Sequence, residues 1–302
     1  MKLFNHRLAF FSITLLLLGI VAFRFHERYF SAEAEIIFFD VGQGESILLK
    51  LPFGQTYLID LGSSTRPNRV GPEIFRELGR RGILKLQGLL VSHPDLDHVG
   101  GVSELFRHVY IESLFYSAAL DSSLTAPSKT LEKLKAEARS WKVKRVPVAH
   151  PMVLRKPDFQ LTHFHARPTQ KRTSNNLGLV SLVEVYGCRF LLTGDIEKEA
   201  EKEVLKTVSK PLHVLKVAHH GSITSSTRQF LQKLLPHYAV ISVGAGNQYG
   251  HPRKEVLERL RYFKSKIFRT DFHGFVSFRV NAQGEMACQN ALGSCGRITC
   301  TN

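Results

Sequence analysis

The sequence of 302 residues contains no C-x-x-C pair, no heptad pattern, no short-period repeat and no sustained low-complexity run. The first absence argues against a cysteine-ligated zinc cluster. The others exclude coiled-coil and repeat architectures. Cysteine itself is scarce, at four residues. Cys188 lies in the apolar run YGCRFLLT and reads as a buried small hydrophobe. Cys288, Cys295 and Cys300 crowd residues 287–302, which read as a C-terminal tail; two of them can pair in an oxidising compartment and leave one over.

Negative charge is also in short supply. Asp and Glu total 26 against 41 Lys and Arg, a formal net charge of +15. That balance favours a polyanionic partner, nucleic acid or an anionic membrane, without requiring one. At the N-terminus the uncharged run Leu8 to Phe23, LAFFSITLLLLGIVAF, falls short of the ~20 residues of a full membrane span. Basic MKLFNHR precedes it, and Arg24, His26 and Arg28 follow. Residues 1–34 therefore read as a targeting segment: an uncleaved membrane anchor, or a signal cleaved near Ala32 and Ala34. Either version puts the rest of the chain outside the cytoplasm, anchored, secreted or periplasmic.

What is present is a regular alternation from Glu35 onward. EIIFFD, SILLKL, TYLID and LQGLLVS read as strands, as do VKRVPV, FQLTHFH, GLVSLVEV, RFLLTGD, LHVLKVAHH and YAVISVG. Helical spacing marks GPEIFRELGRRGI, SKTLEKLKAEARS, IEKEAEKEVLKTV, STRQFLQKLL and PRKEVLERLRYF. Strands precede helices in two similar halves, an α/β arrangement of two packed sheets covered by helices over 35–286.

Unusual polar residues stand at the ends of these apolar strands: Asp60 after TYLI, His93 after GLLVS, Asp195 after RFLLTG, His219 and His220 after VLKVA. The densest cluster is VSHPDLDHVGG, with His93, Asp95, Asp97 and His98 within six residues. Carboxylates converging on one sheet edge repel each other unless a cation lies among them. Histidine with aspartate suits Zn²⁺, Mn²⁺ or Fe. In an extended turn, alternate side chains share a face, so His93 and Asp95 serve one ion while Asp97 and His98 serve a second. Asp195 can bridge the two and His219 complete the second. Two ions at ~3.5–4 Å activate water for hydrolysis. Asp60 reads equally as a turn or cap residue, and Asp195 as an N-cap of the helix that follows it. His220 is held open between supporting the ligands and facing substrate.

These motifs carry a resemblance. SHPDLDHVGG is similar to the H-x-H-x-D-H signature of the metallo-β-lactamase fold superfamily, with Asp95 where the second histidine usually stands. FFDVGQGESILLKLPFGQTYLIDLGSS, SNNLGLVSLVEVYGCRFLLTGD and LKVAHHGSITSS together resemble the hydrolase domain of ComEC-type DNA-uptake proteins, from about Glu35 to Phe278. The resemblance implies a four-layer αββα sandwich with two divalent ions, Mn or Zn, at the edge between its sheets. It implies His93, Asp95, Asp97, His98, Asp195 and His219 as ligands, and Asp60 as support for the metal loop. The superfamily's middle histidine is missing; Ser174 to Asn176 occupy its place, with His163 and His165 nearby. An oxygen-rich first site favours Mn²⁺ or Mg²⁺ over Zn²⁺.

The function this implies is an extracytoplasmic metal-dependent phosphodiesterase or nuclease acting on DNA, with Asp97 orienting the attacking water and His220 or Lys216 stabilising phosphate charge. Arg76, Arg80, Arg81, Lys142, Lys144, Arg145, Lys171 and Arg172 are available to steer a phosphodiester chain. With one candidate span at most, a membrane channel has to come from a partner. The alternatives are a small-molecule hydrolase of lactones, thioesters or β-lactams, and a DNA-binding module with a decayed metal site.

Overall fold

The computed structural model describes residues 2–121, 128–165, 173–208 and 212–300. A nine-stranded sheet runs in the spatial order Gly293–Thr299, Glu285–Asn290, Val276–Val280, Ala34–Phe38, Ile47–Leu51, Gln55–Ile59, Gly88–Val91, Ser113–Ser117, Lys144–Val148. A seven-stranded sheet runs Lys266–Arg269, Tyr238–Ile241, Val214–Lys216, Cys188–Leu192, Leu179–Val185, Phe159–His165, Met152–Arg155. Each sheet is antiparallel on one side and parallel on the other. The parallel strands are joined through helices, as that geometry demands.

Side-chain alternation builds the layers. Ile36, Phe38, Ile47, Leu49 and Leu90 of the first sheet meet Val183, Phe190, Leu192, Val214 and Tyr238 of the second in one core. The alternate residues Ile37, Leu48, Leu89 and Val91 face outward, onto Ile74 and Leu78 of the helix Val70–Arg80, Phe106 of Val102–His108 and Leu134 of Lys129–Ser140. On the other side Leu191 and Leu215 pack against Val204 of Lys198–Thr207, Leu231 of Arg228–Leu234 and Leu260 of Lys254–Tyr262. Strands buried on both faces read as continuous apolar runs rather than alternating ones. The result is the four-layer αββα sandwich.

Three features differ from the sequence reading. The boundary at 287 falls inside a strand: Glu285–Asn290 and Gly293–Thr299 extend the first sheet instead of forming a tail. All four cysteines are paired, Cys188 with Cys300 and Cys288 with Cys295. Cys188 is therefore not a free hydrophobe, because the last strand brings Cys300 across from the opposite sheet. At the N-terminus a helix spans Lys2–Phe30, and its exposed apolar side chains include Phe10, Leu16 and Val21. Among the described residues, no helix is long and apolar enough to cross a membrane, so the expected anchor is not supported as a span.

Candidate metal centre

The site lies where loops leave the strand ends of both sheets. Gly88–Val91 delivers Ser92 and His93, and the short helix Leu96–Val99 carries Asp97 and His98. From the second sheet, Cys188–Leu192 delivers Asp195, and Val214–Lys216 leads into the turn of His219 and His220. Glycine lets the first-sheet loops stack backbone on backbone. A Cβ at Gly62 would collide with main-chain atoms of Asp97 and His98, and one at Gly44 with the Gly62 carbonyl.

Asp60 is wholly buried and organises one side. Its Oδ1 accepts from the Ser92 backbone N–H at 2.8 Å; its Oδ2 accepts from the Ser92 hydroxyl at 2.6 Å and from His98 Nδ1 at 2.8 Å. A carboxylate only accepts, so His98 carries its proton on Nδ1 and turns Nε2 inward. The Ser242 carbonyl does the same for His220, accepting from Nδ1 at 2.7 Å. The two inward Nε2 atoms stand 3.3 Å apart. With both rings neutral this pinning would set lone pair against lone pair, a clash that a proton or a metal cation between the two nitrogens relieves.

Carboxylates complete the convergence. Asp195 spans the pair, with Oδ1 3.4 Å from His98 Nε2 and Oδ2 3.4 Å from His220 Nε2. Asp97 Oδ2 lies 3.5 Å from His220 Nε2. The His93 ring lies 4.1 Å from that of His98, centroid to centroid. Among the described residues, His93, His98 and Asp195 form one triad whose ligand atoms lie within 4.8 Å of one another, and Asp97, His98 and His220 form another.

The electrostatics agree with a cation site. Burial pushes the Asp97 carboxyl up, but a hydrogen bond to His220 and the neighbouring imidazoles pull it down to about 2. Asp195 is opposed by burial and held well below the usual carboxylate range by His220, His98 and Lys216. Burial works against charge on both imidazoles. Even so, Asp195 and Asp60 raise His98 well above its ordinary value, and Asp195 and Asp97 raise His220 to about 9. A pocket that drives its imidazoles cationic has a surplus of buried negative charge, which a divalent ion neutralises instead of protons.

The expected residues sort into floor and rim. His93, Asp97, His98, Asp195 and His220 converge. Asp95 has a side chain 53% exposed that lies 3.6 Å from His93 Nε2, while its backbone carbonyl accepts from the His98 N–H at 2.9 Å. His219 is 26% exposed, with Nε2 3.9 Å from Asp195 Oδ2. Asp195 does not cap the following helix, whose N-cap is Glu197. In the place of the missing histidine, Asn176 braces Glu197, accepting its backbone N–H at 2.9 Å. His163 is buried against Ser181, 3.0 Å from its hydroxyl, and His165 faces the Ala149 carbonyl at 3.2 Å. Lys216 is no phosphate contact: it is wholly buried, ion-paired with Glu45 and 3.3 Å from Asp195 Oδ1. Glu45 escaped the sequence reading, although a charged residue in VGQGES between two apolar strands was the available signal. Arg80 and Arg81 pair with Glu77 and Glu35, Arg76 is exposed on the same helix, and Lys142, Lys144 and Arg145 are exposed at or beside the Lys144–Val148 edge strand. Lys171 and Arg172 lie outside the described residues.

The family model of the metallo-beta-lactamase superfamily matches residues 39–245. The chain belongs to the metallo-β-lactamase superfamily. Superfamily members are generally metal-dependent hydrolases whose fold binds divalent metals, and the imidazole and carboxylate donors gathered here fit such ions. ComE operon protein 3 of Bacillus subtilis is 32% identical over 82% of this chain and 33% of its own length. Recombination protein 2 of Haemophilus influenzae is 34% identical over 80% and 28%, and Competence protein ComA of Neisseria gonorrhoeae 30% identical over 90% and 36%. The chain thus spans about a third of the length of the curated relatives it matches. Among solved structures, the metallo-β-lactamase fold protein YhfI of Bacillus subtilis superposes with a TM-score of 0.55 at 11% identity, covering 82% of this chain and 99% of its own. CmlA, a diiron β-hydroxylase from Streptomyces venezuelae, gives 0.55 at 13% identity, covering 82% and 54%. Those two likenesses speak to the fold alone.

Proposed function

We propose that this hydrolase is a metal-dependent phosphodiesterase that cleaves DNA outside the cytoplasm. The observation that carries the reading is the inward convergence of His98 Nε2 and His220 Nε2 on Asp195 and Asp97. DNA as substrate is supported by the relatives named for competence and recombination and by the net charge of +15. Two disulfides support an oxidising compartment. A channel-forming partner, implied by the resemblance to DNA-uptake proteins, belongs to the same proposal.

His93, Asp97, His98, Asp195 and His220 would hold the ions. A divalent metal bound there supplies Lewis acidity and a water of lowered pKa. The chain's own groups do the rest. Asp60 and the Ser242 carbonyl fix the tautomers of His98 and His220, keeping Nε2 inward. Asp97, ionised with a pKa of about 2 and 20% exposed, would accept a hydrogen bond from the attacking water. His219 is kept neutral by burial, which outweighs Asp195, and from the rim would donate to an incoming phosphate oxygen. The geometry thus favours exchanging the two adjacent histidines, His220 as ligand and His219 as substrate contact.

The test is DNA digestion by the purified chain with Mn²⁺, Mg²⁺ and Zn²⁺. The expected outcome is Mn²⁺-supported cleavage that Asp97→Ala lowers by about 10³-fold or more without unfolding the protein. No cleavage of DNA or RNA by metal-loaded protein would point to a binding module, and fast β-lactam or lactone turnover to a small-molecule hydrolase.

A further inference from the structure

Lys216 ends an inner strand flanked by strands on both sides, in the run VLKVA where apolar residues are the rule, and its side chain is wholly buried. A lysine in that position is tolerated only if its charge and all three N–H groups are satisfied. Three acceptors meet them: the Gly194 carbonyl at 2.8 Å, Asp195 Oδ1 at 3.3 Å and Glu45 Oε2. Among the described residues, the buried Glu45 carboxylate oxygens have no hydrogen-bond partner apart from this ion pair. Glu45 is in turn locked into the first-sheet loops, its N–H donating to the Asp97 carbonyl at 3.0 Å and its carbonyl accepting from Gly62 at 3.1 Å. His93, Asp97 and His98 come from the first sheet, Asp195 and His220 from the second. The Glu45–Lys216 pair joins the two halves directly beside the ligands.

We propose that Lys216 is a positioning residue of the metal centre, clamping the two halves together, withdrawing Glu45 from the ligand set and holding Asp195 so that it spans His98 and His220. The proposal rests on the metal-binding part of the reading above. Glu45, Asp195 and His220 lie close enough to hold an ion themselves. The ammonium occupies the Glu45 carboxylate in that triad, and it anchors one oxygen of Asp195 while the other faces His220.

The experiment is Mn²⁺ titration of the full chain followed by electron paramagnetic resonance. Lys216→Met alone strands two buried carboxylates, so the informative variant is Glu45→Gln with Lys216→Met, which removes both charges at nearly constant volume. It is expected to fold, by circular dichroism, yet to bind Mn²⁺ about 10- to 100-fold more weakly with an altered spectrum. Lys216→Arg, which keeps the charge, is expected to recover part of that loss. Wild-type affinity and spectrum in the double variant would overturn the proposal. Should the double variant not fold, Glu45→Asp shortens the clamp by one methylene, and a folded Glu45→Asp with wild-type Mn²⁺ binding would overturn it equally. Because the readout is metal binding, wild-type protein that takes up Mn²⁺ but leaves DNA uncut would refute the nuclease reading while the affinity ratio still decides this one.

Discussion

Gly62 and Gly79 show how differently one residue type behaves at two places. A methyl group at Gly62 meets the backbone of Asp97 and His98, which must shift to admit it. Gly62→Ala is expected to displace the metal loop, weaken Mn²⁺ binding by tenfold or more and lower the melting midpoint. Gly79 sits in the helix Val70–Arg80 with nothing within 4 Å of its added Cβ. Gly79→Ala is expected to stabilise by about 0.5–1 kcal/mol in a denaturant titration, through helix propensity and reduced unfolded-state freedom. His163, buried beside Phe115 and Ser181, gives a pH signature remote from the metal ligands. Burial lowers its pKa from 6.5 to about 4. The unfolded chain then binds more protons between those values, so stability is full above about pH 6.5 and falls as pH drops towards 4. The loss is on the order of 3 kcal/mol. His163→Phe is expected to flatten that acid limb, and an unchanged slope of stability against pH would count against the assignment.

At the scale of elements, the turn Ala218–Gly221 decides which of two adjacent histidines enters the site. His219 and His220 both adopt left-handed backbone conformations, at φ 52°. Asp60 does so too, at φ 56°. Such conformations cost about 1–2 kcal/mol each for residues with a Cβ. They are sustained here by tertiary bonds, among them His219 N–H to the Gly194 carbonyl and Asp60 N–H to the Leu90 carbonyl. Sequence spacing marked both histidines but held no information on that turn. The hairpin of Glu285–Asn290 and Gly293–Thr299 is an element with its own staple, Cys288–Cys295, separated by only 7 positions. Closing so short a loop is worth about 2 kcal/mol by chain entropy. Replacing both cysteines with alanine should therefore lower stability modestly, with the metal site intact by Mn²⁺ titration.

The whole molecule is tied by a longer link. Cys188–Cys300 joins the second sheet to the last strand of the first across 112 positions, a closure worth about 5 kcal/mol in the same treatment. Cys188→Ala with Cys300→Ala is expected to lower the denaturant midpoint distinctly more than loss of the short bridge, and a reversed order would refute the assignment of roles. The same sandwich explains what was legible. Apolar runs buried on both faces and charged helical stripes reveal their elements locally, and an acid or imidazole at the end of such a run stands out because nothing in a core calls for it. His93 and Asp195 stood out that way, and Asp97 and His98 by their density beside His93; the structure gathers all four into overlapping clusters. Pairings between distant segments leave no local trace: Val276–Val280 against Ala34–Phe38, Cys188 against Cys300, Glu45 against Lys216. The sequence by itself determined most of the central elements, the layer architecture and the donor types of the site. Only the tertiary structure decided which imidazole turns inward, which lysine is buried and which cysteines meet, because those depend on contacts that form when two sheets close on each other.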